Sequence, residues 1–98
     1  MIDYKRNYRT MANEASNFAT LQKARQDLIS EIDAIMEYDD HIHTTPDMLA
    51  RQTWEDIRNE EMVHFGQLFG LISYLDPSWT QFVNSGMEEF QKSQNGQS

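Results

Sequence analysis

The chain is 98 residues long, contains no cysteine and carries a formal net charge of −8. That length bounds it to one domain near the lower limit for a self-sufficient core, and the missing cysteine excludes disulfides, thiolate metal sites and thiol catalysis. The acidic balance excludes nucleic acid, because nothing here neutralises a row of phosphates, and suits cations, which an acidic surface concentrates. Two Trp, four Tyr, five Phe and six Met offer apolar surface, but a mean hydropathy of −0.73 leaves much of the rest solvated. An oligomer would relieve the shortage of core.

Met1–Thr10 carries Lys5, Arg6 and Arg9 with no apolar run behind them, so it reads as a flexible N-terminus and not as a secretory signal. No apolar run approaches the roughly 20 residues of a membrane span, and the expectation is a soluble, cytoplasmic protein. The first helix is predicted from about Met11 to about His43. Leu21, Ala24, Leu28, Glu31, Ile35, Tyr38 and Ile42 recur alternately three and four apart along it, a helical seam. Phe18, Ile29, Ile32 and Met36 widen the stripe. Thr44-Thr45-Pro46-Asp47 breaks the pattern, with Thr45 as the expected cap, Pro46 in the first turn and Asp47 complementing the dipole.

The second helix is predicted from Pro46 to about Leu75, and so short a connection forces an antiparallel helical hairpin. Its seam is Trp54, Ile57, Glu61, His64, Leu68, Leu71 and Leu75. Asp76-Pro77-Ser78 ends it, with Asp76 or Ser78 as the cap of a short third helix from Pro77 to about Gln91. That helix places Trp79, Phe82, Val83, Met87 and Phe90 on one face, with Gly86 weakening it by roughly 1 kcal/mol. The domain therefore spans 11–91, and 92–98 reads as a disordered polar tail.

Each seam is interrupted by groups that are costly to bury unsatisfied. Glu31 stands between Leu28 and Ile35, and Glu61 and His64 form a Glu-x-x-His on the second helix. Three apart, Glu61 and His64 share a helix face and can hold one ion; carboxylate with imidazole suits iron, manganese or zinc. Ferritin-like di-iron bundles use a Glu from each of two helices and Glu-x-x-His from each of the other two. This chain holds half that set on half a four-helix bundle, so two copies about a two-fold axis would complete it. Against this stands a plainer reading, in which a chance Glu-x-x-His lies on the surface or a polar seam residue sets the register of a coiled coil.

Tyr38 lies seven residues beyond Glu31 on the same seam. Its hydroxyl can approach bound metal from the side or satisfy polar groups within the core. Asp33 and Glu37 form an i,i+4 carboxylate pair off the seam, near Asp39, Asp40, His41 and His43, which is either an outer collecting site for cations or a solvated helix end. His41 and His43, two apart, cannot share a face.

The run Glu31-Ile32-Asp33-Ala34-Ile35-Met36-Glu37-Tyr38-Asp39, followed by Asn59-Glu60-Glu61-Met62-Val63-His64, resembles the encapsulated ferritins over about Ala24 to Gln91. The lone hairpin and short third helix fit the same family. The resemblance implies an all-α fold that dimerises into a ferritin-like four-helix bundle. It implies a ferroxidase, oxidising iron(II) to iron(III) with dioxygen at a di-iron site between two subunits, for iron storage and detoxification. Glu31, Glu61 and His64 then take the family's ligand positions and Tyr38 that of its tyrosine beside the metals. It implies also a ring of dimers, an annular decamer, held as cargo in an encapsulin shell. Two positions depart from the family. Its outer uptake site pairs acidic residues with an aromatic, whereas Ser30, Asp33 and Glu37 stand here. Cargo members end in an apolar targeting peptide, whereas Gln91–Ser98 is wholly polar.

Two other functions compete. The same residues can bind zinc or calcium, stapling a non-catalytic helical oligomer. A peroxide-scavenging di-iron protein of rubrerythrin type is the third reading, against which the missing rubredoxin-like cysteines count.

Overall fold

The computed structural model describes residues 4–96, and their side chains from residue 17 onward. Three helices follow one another: α1 (Tyr4–Thr44), α2 (Met48–Leu75) and α3 (Pro77–Gln94), with no strand among the described residues. The all-α hairpin with a shorter third helix is therefore as predicted. α1 begins at Tyr4, ahead of the expected Met11, since no Gly or Pro interrupts Tyr4–Thr10. Of the N-terminal segment, residues 1–3 lie outside the described residues. α3 likewise runs past Gln91 to Gln94 and ends where Gly96 takes a φ of 72°, a left-handed conformation that glycine adopts without steric cost. Residues 97 and 98 of the tail lie outside the described residues.

The α1–α2 turn differs from expectation in its cap. Asp47, not Thr45, is the N-cap of α2, and its Oδ2 accepts a hydrogen bond from the Ala50 amide at 2.8 Å. Pro46 thus lies before the helix, outside its first turn. A carboxylate satisfies an orphan amide and favours the positive end of the dipole at once, which a threonine hydroxyl does less well. At the α2–α3 corner Asp76 holds the N-cap position without capping by its side chain; its Oδ1 accepts from the Ser78 hydroxyl at 2.6 Å. Arg25 of α1 reaches the same carboxylate at 3.4 Å and ties the corner to the hairpin. Phe69 of α2 packs on Trp79 of α3, with ring centroids 4.6 Å apart.

The molecule is only 14 Å deep along its shortest axis, close to the diameter of a single helix with its side chains. One layer has no second layer to cover its faces, and among the residues whose side chains are described the buried apolar core is Ala24, Ile42 and Ile72. Full burial of a side chain the size of Ile72 contributes about 1.5–3 kcal/mol. The flanking residues Phe18, Ile29, Ile32 and Met36 are exposed, as are the seam residues His64 and Leu71 of α2. The stripe on α2 is therefore open along one edge within a single chain. About 100° separates successive helix residues, and Ile72, one position beyond Leu71, turns inward where Leu71 turns out.

Candidate metal centre

Glu31 projects from the middle of α1 towards α2, because the seam that carries Ala24 and Ile42 into the core carries Glu31 with it. Glu61 does the same from α2, and both side chains are 20% exposed. His64, one turn further along α2, stands at the open edge with its side chain 49% exposed. Its Nδ1 lies 3.7 Å from Glu31 Oε1 and 3.6 Å from Glu61 Oε2. These separations are too long for hydrogen bonds. They approach the roughly 3.4 Å between two tetrahedral ligand atoms that are each about 2.1 Å from one ion. One ligand atom from each residue falls within 4.8 Å of the others. Two facing helices thus bring these three side chains together.

Crowding bears on one carboxyl of this cluster. The Glu31 carboxyl is held above its ordinary 4.5, chiefly by a hydrogen bond shared with the Glu61 carboxyl, which requires a proton. Removal from solvent and the negative charges of Glu61 and Asp27 push the same way, while His64 opposes them. Glu31 Oε2 is shielded from water and has no hydrogen-bond partner. A buried acceptor left unpaired is destabilising, and two crowded carboxylates with an orphaned oxygen form a donor set that a divalent cation would satisfy. The residues present fit a metal of the iron, manganese or zinc kind.

The other sequence-predicted residues lie apart from the cluster. Asp33 and Glu37 are exposed, and Glu37 pairs loosely with His41 at 3.9 Å. Asp39 pairs with Arg58 of α2 at 2.8 Å. His43 turns its Nδ1 to the Asp39 carbonyl at 2.7 Å. Tyr38 is half-buried two turns from Glu31, about 10 Å along the axis, with its ring edge-on to His41 at 6.2 Å. His41 in turn meets Trp54 at 4.9 Å. Among the described residues, Glu31, Glu61 and His64 are the one group of three or more ligand-type side chains that converge. Sequence reading overlooked Asp27 and Gln67, which line the cavity beside Glu31 and His64. The i,i+4 spacing of Asp27 to Glu31 was the available signal.

Fold and cluster together define a ferritin-like helical protein whose hairpin carries carboxylate and imidazole groups on facing seams. The chain is similar to the encapsulated ferritin domain from Pyrococcus furiosus, with a TM-score of 0.76, 28% sequence identity and 78% of each chain covered. This likeness supports the encapsulated ferritin family, the one its motifs resemble. No family model matches the sequence, and no curated protein does.

Proposed function

We propose that the chain is a ferroxidase whose iron site is completed by a second copy. The convergence of Glu31, Glu61 and His64 from two helices carries this reading, and the likeness to an encapsulated ferritin domain agrees with it. Three protein ligands hold one ion at most. Two copies about a two-fold axis bring four carboxylates and two imidazoles to a pair of irons, the stoichiometry of ferritin-like di-iron bundles. A chain one layer deep, with Ile32, Met36 and Met62 exposed, also gains a second layer by pairing.

Iron is the substrate here: two iron(II) ions each give up one electron, and dioxygen accepts both. In this reading Glu31 and Glu61 hold the ions and offset their charge and His64 supplies a nitrogen to each, while Tyr38, two turns along α1 with its ring on His41, would act only from beyond the ligand shell. Assembly into a ring of dimers and carriage inside an encapsulin shell belong to the same reading, as does an outer collecting role for Asp33 and Glu37.

Anaerobic iron(II) loading followed by admission of air tests the proposal through the ferric absorbance. Glu61→Ala is expected to slow oxidation on the order of 100-fold, as losses around metal sites do. Equal rates in the variant and the wild type would remove the assigned site.

A further inference from the structure

Asp27 stands one turn before Glu31 on α1, and both line one open cavity of about 380 Å³ together with Ser30, His64 and Gln67. Residues four apart share a helix face, and both side chains border the same cavity. Nearby acids are differently placed: Glu37 is engaged by His41 and Asp39 by Arg58. Among the described residues no cation pairs with Asp27. An unneutralised carboxylate in a cavity that also exposes the Glu31 carboxylate and the His64 imidazole, two members of the inner cluster, is a ligand that a divalent cation meets before the cluster is complete. Asp33, for its part, does not line this cavity.

We infer that Asp27 is a transit ligand, holding an incoming divalent cation at the cavity mouth before Glu31, Glu61 and His64 take it. The inference rests on the metal-site reading above and adds a residue to it. Ser30 supplies a hydroxyl beside the path, and Gln67 a side-chain amide on the opposite wall.

Cobalt(II), which does not turn over with dioxygen under these conditions and reports its ligands by visible absorbance, is the probe. Full-length wild type, Asp27→Asn, Asp27→Glu and Glu61→Ala are titrated and mixed in stopped flow, at low salt and at about 1 M salt, where the screening length is only about 3 Å. Asp27→Asn is expected to slow cobalt uptake by about 10-fold in both salts, within the range of groups that support a metal site, with Asp27→Glu restoring it. Loss confined to low salt would overturn the inference, because diffuse attraction is screened and ligation is not. Wild-type uptake by Asp27→Asn, with binding abolished in Glu61→Ala, would also overturn it while leaving the site standing. Unchanged binding by Glu61→Ala would overturn the site itself, and the inference with it. Circular dichroism of each variant verifies that the helices are intact.

Discussion

Glu31 and Glu37 stand on the same helix within two turns of each other, yet their surroundings differ. Glu31 faces α2, where Glu61 and His64 meet it, and one of its oxygens is closed off from water. Glu37 faces solvent and meets His41 of its own helix at 3.9 Å. Both have an acidic neighbour close in sequence, so local composition does not separate them. What separates them is the register of the seam. A residue in phase with Ala24 and Ile42 is carried against another helix, where groups from two rigid elements converge. A residue out of phase meets its own helix neighbours and water, and an exposed pair of that kind contributes a few tenths of a kcal/mol.

Replacing Glu31 with Gln should have the largest consequence. Cobalt or iron affinity should fall about 10–100-fold, while the metal-free protein should gain stability near neutral pH. The sign follows from the carboxyl being raised above 4.5 in the folded state. A proton bound more tightly by the folded chain stabilises it fully below the unfolded value, and that contribution is lost as pH rises through the raised one. In chelator-treated protein the melting temperature of the Gln variant should exceed that of the wild type at neutral pH, with the gap closing as pH approaches 4.5. A gap independent of pH would contradict the crowding of Glu31 with Glu61.

Arg58→Ala lies between the two extremes. Arg58 joins α2 to Asp39 of α1 at 2.8 Å, with its side chain 24% exposed and that of Asp39 41%. Its removal should cost about 1 kcal/mol in urea unfolding, with metal affinity unchanged. Glu37→Gln should do least: unfolding free energy within about 0.5 kcal/mol of wild type, and cobalt affinity at the inner cluster the same. A large loss of inner-site affinity in Glu37→Gln would erase the distinction between the two acidic groups.

The difference between these groups was partly legible in the residues. Seam spacing put Glu31, Glu61 and His64 in phase with apolar positions and left Asp33 and Glu37 out of phase, and the structure keeps that division. Periodicity did not reveal that His64 stands at an open edge, nor that Ile72 and not Leu71 enters the core. Two adjacent residues differ by about 100°, and a seam drawn as a line cannot say which of them the partner helix will cover. Helix ends were less legible still. Thr45 and Asp47 both suit a cap, and the choice fell to whichever side chain could reach a free amide. Tyr4 and Gln94 extended their helices because nothing near them broke the pattern.

The sequence by itself determined that the chain is three helices, that the first two fold back on each other, and that two Glu and one His interrupt their apolar seams. These follow from spacing, turn chemistry and the absence of breakers, all of which act over a few residues. Only the tertiary structure decided that the three side chains each offer a ligand atom within 4.8 Å of the others, that Glu31 keeps an orphaned oxygen away from water, and that Asp27 lines one cavity with Glu31 and His64. Distances between residues on different helices depend on how far one helix slides and turns against the other, and that is set by packing across the whole hairpin.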